Sequence, residues 1–229
     1  MDPRNRRTRA SVLLQSETTT ILVDTGPDMR EQLLAAGVRK IDAVLWTHEH
    51  ADHTHGIDDL RQVYHLRREP VPCYARLRTL ESLERRFRYV FHGREFYPPT
   101  ATAGLLEDVM TIGDIAVHTV DQPHGGITSA GFRFEMGASS VGYSTDFHDI
   151  TPDMEDLFAE IDVWVVDALR RKPHPTHADL AMTLDAIRRL KPKRAILTHM
   201  DQSMDYATLA AELPAGVEPG HDQLEILLP

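Results

Sequence analysis

The stretch from Trp46 to Gly56, WTHEHADHTHG, puts four histidines and Asp52 into eleven residues directly behind the apolar run IDAVLW. Imidazoles and carboxylates at that density are costly inside an apolar core unless something pairs them. The chain therefore has to fold so that this turn sits where a strand ends and polar side chains converge.

At 229 residues and 41% apolar, the chain is long enough to bury roughly 70% of its unfolded surface. A single domain spanning 1–229 is expected. No apolar stretch approaches the ~20 residues of a membrane span, and the basic start MDPRNRRTRAS leads into no hydrophobic signal segment. A cytoplasmic location is the default. The one cysteine, Cys73, has no partner for an internal disulfide, so a bound metal would fall to histidine and carboxylate. The formal charge of −10 disfavours a broad nucleic-acid footprint. Two arginine clusters, Arg6, Arg7 and Arg9 and then Arg67, Arg68, Arg85, Arg86 and Arg88, read as solvated faces.

Elements alternate along the chain. ASVLLQS and TTTILVDTG read as a hairpin ending at Asp24, and DMREQLLAAG as a helix stopped by Gly37. IDAVLW reads as a strand, 57–66 as a helix, 71–75 as a strand and RTLESLERRFRYVF as one helix. The segment 92–113, rich in Pro, Gly and Thr, reads as an insertion or flexible cover. Strands follow at IAVHTVDQ, SAGFRFEM and SSVGYSTD, then a short helix at 154–158 and a strand at DVWVVDA. HADLAMTLDAIRRL reads as a helix, RAILTH as a strand, DYATLAAEL as a helix and LEILL as the last strand. Strands then helices in both halves predict an α+β four-layer αββα sandwich, two mixed sheets face to face with helices outside.

The candidate ligands all fall just past strand ends: His48, His50, Asp52 and His53 after Trp46, His124 after Gln122, Asp146 after SVGYST and His199 after RAILT. Neutral imidazole and carboxylate suit Zn²⁺ or Mn²⁺, with iron a third candidate. If His48, His50 and His124 hold one ion, Asp52, His53 and His199 a second, and Asp146 bridges, each ion has four protein contacts and room remains for a shared hydroxide. Four positive charges against Asp52, Asp146 and the hydroxide leave the site positive by about one, which suits a singly charged phosphodiester. Two such ions can lower the pKa of water and stabilise developing phosphoryl charge.

THEHADH followed in order by QPHGG, STD and LTH resembles the metallo-β-lactamase superfamily of dinuclear hydrolases, from Asp24 to His199. NRRTRASVLLQS, DTGPDMREQLL, THADL and GHDQLEI are similar to its branch of phosphoribosyl cyclic phosphodiesterases and RNase Z. The resemblance implies the metallo-β-lactamase fold and makes His48, His50, Asp52, His53, His124, Asp146 and His199 metal ligands, with Asp52 also counted as catalytic. It adds His177, in THADL, as a catalytic histidine that protonates the leaving alkoxide or holds a phosphate oxygen. A cap by Thr176 at a helix start is expected to hold it. Asp24 would orient a metal-bound histidine, with an ordinary Asp-Thr-Gly turn equally open. Asp167 and Asp222, near other strand ends, could act similarly; His174 and His55 read as loop residues, and Met182 and Leu184 as helix core.

Relatives of that branch begin with a strand carrying a GSG-like turn, and many have a zinc-binding cysteine cluster there. Neither precedes NRRTRAS, so either the start is truncated or the first sheet lacks that edge strand. The implied function is a dinuclear metal-dependent phosphodiesterase acting on a small cyclic phosphate or nucleotide-like diester through a metal-bridging hydroxide. Hydrolysis of esters, thioesters or lactams on the same metals is the first alternative, and a non-catalytic nucleotide-binding metal module the second. No membrane partner is expected, and a homodimer is compatible with the sequence.

Overall fold

Val12–Gln15 (β1) and Thr20–Val23 (β2) form the antiparallel hairpin read from the sequence, with Val12 opposite Val23 and Gln15 opposite Thr20. The computed structural model describes residues 2–229. By contact it divides into two compact units, Arg9–Ile115 and the combination of the residues up to Thr8 with Ala116–Pro229.

In the Arg9–Ile115 unit the strand order is β1-β2-β3-β4-β5, with Ala43–Leu45 (β3), Val71–Ala75 (β4) and Ala101–Leu105 (β5). All pairs after the first are parallel. Every residue of β2 and β3 is buried, as expected of inner strands covered on both faces. Met29–Ala35 (α1) stops before Gly37, whose φ of 64° only glycine adopts without strain. The expected helix over 57–66 is a 3₁₀ turn at Ile57–Asp59 followed by Leu60–Arg67 (α3). RTLESLERRFRYVF is two helices, Leu77–Arg86 (α4) and Arg88–His92 (α5), broken at Phe87 with φ −120° and ψ 39°. Leu80, Leu83, Val90 and Phe91 are all buried, so the apolar spacing runs through the break and conceals it.

The segment 92–113 is no loose cover: it contains β5 and Val109–Ile112 (β6). β5 is Ala, Thr, Ala and Gly before an exposed Leu105, and Tyr74 lies against its glycine: a Cβ on Gly104 would come within 2.6 Å of the Tyr74 ring. Without large alternating apolar residues, that strand leaves almost no periodic signal.

The other sheet runs β12-β11-β10-β9-β8-β7-β6. Ile115–His124 (β7), Ile127–Met136 (β8) and Ser139–Ser144 (β9) are antiparallel, the first turn being Gly125-Gly126 between paired His124 and Ile127. Val163–Asp167 (β10), Arg194–Thr198 (β11) and Val217–Pro219 (β12) add in parallel. Pro152–Phe158 (α6), Leu180–Leu190 (α7) and Tyr206–Glu212 (α8) connect them. In this unit's core Phe158 stacks on Trp164 at 5.4 Å, over a Gly142 that has no room for a Cβ. The last strand is β12 and not LEILL, a segment outside regular structure in which Leu227 is exposed. No helix among the described residues is long and apolar enough to cross a membrane.

The histidine turn contains the short helix Ala51–Thr54 (α2) and is knitted to the end of β2. Thr25 N–H donates to His53 O at 2.7 Å and Gly56 N–H to Thr25 O at 2.8 Å. A Cβ on Gly56 would lie 2.1 Å from the Gly26 carbonyl oxygen. Backbone cannot retreat from a methyl at that distance, so Gly56→Ala is expected to cost about 3 kcal/mol or more, read as a lower urea midpoint.

Candidate metal centre

In the Arg9–Ile115 unit, Asp24 organises the histidine turn from the end of β2. It is fully buried and has a left-handed φ of 66°, a conformation that Asp, Asn and His tolerate better than most residues. Its carboxylate accepts the Thr47 N–H at 2.8 Å, the Thr47 hydroxyl at 2.9 Å and His53 Nδ1 at 2.7 Å. Burial pushes the Asp24 carboxyl up, and His53 and Thr47 oppose that shift. Since Asp24 occupies His53 Nδ1, Nε2 is the nitrogen presented as a ligand; it lies 3.4 Å from Asp52 Oδ2. His48 has Nδ1 3.0 Å from Thr47 Oγ1 and Nε2 2.9 Å from His50 Nδ1. His55, by contrast, is exposed and sets its ring edge on Phe87.

The second unit gathers its set at four strand ends and one loop. His124 closes β7, and its Nδ1 donates to the Thr176 carbonyl at 2.8 Å. Asp146 follows β9 and His199 follows β11, both at positive φ, 57° and 56°. Each oxygen of Asp146 faces a different imidazole: Oδ1 is 3.6 Å from His124 Nε2, and Oδ2 is 3.5 Å from His199 Nε2. Thr145 Oγ1 donates to Oδ2 at 2.7 Å. Asp146, His177 and His199 each offer a ligand atom within 4.8 Å of the others.

Asp167 is fully buried at the end of β10. Its Oδ2 accepts the Asp146 N–H at 3.0 Å and His177 Nδ1 at 3.1 Å, while Oδ1 is buried without a hydrogen-bond partner. Burial pushes its carboxyl up, with His177 and His199 opposing and Asp146 adding. His177 precedes α7 and does not open it: the cap is Asp179, which accepts the Met182 N–H at 2.9 Å, and not Thr176. Leu169 N–H to Ala178 O and Leu180 N–H to Arg170 O close the loop that carries His177. The His177 ring stacks on His199 at 5.0 Å. His174 meets His177 edge to face at 5.0 Å, and burial with His177 and Arg170 nearby lowers its pKa. Asp222 is placed elsewhere, accepting the Thr8 N–H. Met182 and Leu184 pack against the core, and Cys73 is buried.

The residues fit a divalent cation. Asp146 and Asp167 are adjacent buried carboxylates, an arrangement that calls for compensating positive charge. The donor pairs at 3.4–3.6 Å stand too far apart for direct hydrogen bonds. Two ligands at the ~2.0–2.1 Å of a tetrahedral zinc–nitrogen bond sit about 3.3 Å apart, close to the 3.4 Å between His53 Nε2 and Asp52 Oδ2, and His48 Nε2 and His50 Nδ1 are a little nearer at 2.9 Å. With hydrogen bonds fixing ring orientation, Asp24→Asn, which keeps the shape and tolerates the left-handed backbone, is expected to weaken metal binding about 10–100-fold, measured by competition with a chelating dye.

Residues 19–200 match the family described as the beta-lactamase superfamily domain, and the chain belongs to that superfamily, whose fold of two mixed sheets with helices it shares. Its place within the superfamily is the RNase Z and PhnP-like branch. A solved diphosphatase from the PhnP family superposes with a TM-score of 0.89 at 34% identity, over 97% of this chain and 85% of that one. The octanoyltransferase of Porphyromonas gingivalis is 32% identical over 99% of this chain, which spans 46% of that protein. A ribonuclease Z from Bradyrhizobium sp. is 43% identical over 68 residues, 29% of this chain and 23% of that protein. The chain thus spans about half or less of these two curated relatives.

Proposed function

We propose that the chain is a dinuclear metal-dependent phosphodiesterase acting on a small cyclic phosphate or nucleotide-like diester. The observation that carries this reading is the hydrogen-bonded pair of Asp167 and His177 beside Asp146, an imidazole held for proton transfer at the edge of a carboxylate and histidine ligand set. His48, His50, Asp52, His53, His124, Asp146 and His199 would hold two divalent ions, zinc or manganese. When bound, such ions activate water and neutralise charge developing on phosphorus-bound oxygens. Four positive charges against the two ligand carboxylates, Asp52 and Asp146, favour an anionic substrate.

The chain's own residues supply the rest. Asp167 accepts from His177 Nδ1 and so turns Nε2 toward the reacting group, where it hands a proton to the departing oxygen. Thr176 fixes His124 through its carbonyl, and the same loop carries His177, so ligand and acid keep one spacing. The PhnP-family relative acts on a diphosphate by its name, which supports a compact phosphate ester as substrate over a long nucleic acid.

The test is hydrolysis of bis(p-nitrophenyl) phosphate by metal-stripped protein reloaded with Zn²⁺ or Mn²⁺. Metal-dependent release of nitrophenol supports the reading. An intact diester alongside hydrolysis of a thioester or lactone by the same loaded protein would replace it with acyl hydrolysis.

A further inference from the structure

His50 is more exposed than the other two histidines of the turn that read as ligands. His48 and His53 are buried against Thr47 and Asp24, but His50 is exposed. Its placement follows the backbone of Glu49, the residue between the two histidines, and α4 grips that residue three ways. Arg86 Nη2 donates to the Glu49 carbonyl at 2.5 Å, Arg78 Nε to Oε1 at 3.1 Å and Thr79 Oγ1 to Oε2 at 3.4 Å. α4 is a firm platform, with Thr79, Leu80 and Leu83 buried. Arg76, just ahead of it, donates to the Leu106 carbonyl at 2.8 Å and to Asp108 at 2.6 Å.

We propose that Arg78 and Arg86 are positioning residues for the ion held by His48 and His50, clamping Glu49 so that the two imidazole nitrogens stay 2.9 Å apart. The proposal rests on the two-ion reading above. It gives Arg86 a task beyond a solvated helix face. It also divides the ligand turn: His50 depends on the α4 clasp through Glu49, whereas His48 is held by Thr47, and His53, on α2 with Asp52, is braced by Asp24. Both arginines are exposed, and exposed ion pairs contribute little to stability, so their effect should appear in metal binding and not in folding.

The sign of the effect separates positioning from charge. Arginine near a cation repels it, so electrostatics alone predicts that removing Arg78 and Arg86 tightens metal binding. Positioning predicts the reverse. Zn²⁺ would be titrated calorimetrically into metal-stripped wild type, the Arg78→Ala/Arg86→Ala double variant and Arg86→Lys. Expected are two ions on wild type, one of them about 10-fold weaker in the double variant and the other unchanged. Arg86→Lys, which can still donate to the carbonyl, recovers part of the loss. In a His50→Ala background the arginine changes add little, because they act through the same ligand.

Unchanged or tighter binding of both ions in the double variant would overturn the clasp alone. Parallel weakening of both ions with a lower melting temperature of the metal-free protein would also overturn it, marking a general fold support. Fewer than two ions on wild type would overturn the two-ion reading and the clasp together.

Discussion

Asp146→Asn is expected to lower turnover of bis(p-nitrophenyl) phosphate on the order of 10³-fold, because metal ions contribute several kcal/mol of transition-state stabilisation at ~1.4 kcal/mol per factor of ten. Asp146 sets one oxygen toward His124 and the other toward His199, so losing its charge disturbs both contacts at once. Asparagine is the informative replacement because Asp146 sits at φ 57°. It keeps the shape and tolerates the left-handed backbone, whereas alanine adds roughly 1–2 kcal/mol of strain that would confuse ligand loss with misfolding. The metal-free Asn variant should therefore melt close to metal-free wild type. What should shrink is the rise in melting temperature on adding Zn²⁺, since stabilisation by a ligand scales with its affinity. A variant that keeps both the thermal shift and the turnover would remove Asp146 from the metal centre.

The histidine turn and the strands around it are legible in sequence because strong local patterns coincide: an apolar run, then closely spaced imidazoles, then a glycine that only a crowded backbone requires. Asp167 is only weakly marked, as one of several aspartates near strand ends, for the opposite reason. A lone aspartate in VVDA has no spacing to a partner, and its link to His177 comes from β10 lying beside β9 and from the loop that folds back at Leu169 and Arg170. Glu49 is masked by standing among histidines, while the residues that grip it come 29 and 37 positions later, on a helix whose arginines look merely solvated. The left-handed conformations of Asp24, Asp146 and His199 are also silent in the sequence, although aspartate and histidine both permit them. Among the elements, β5 escapes notice because it has no large alternating apolar residues, and LEILL looks more like a strand than the short VEP that pairs with β11.

His177→Ala is expected to show a loss that depends on what leaves. For a 2′,3′-cyclic nucleotide, whose departing oxygen is an alkoxide, removing the proton donor should slow turnover about 10²–10⁴-fold. For bis(p-nitrophenyl) phosphate the nitrophenolate departs without protonation, so the same variant should lose far less. Asp167→Asn should follow the same leaving-group pattern more weakly, because the imidazole remains while its Nδ1 partner no longer carries charge. Metal content should be unchanged in both variants if His177 serves the substrate. Equal losses on both esters with metal retained would give His177 the task of holding a phosphate oxygen, since that contact forms whatever the leaving group. Loss of an ion in His177→Ala would instead make it a ligand, as its closeness to Asp146 and His199 allows.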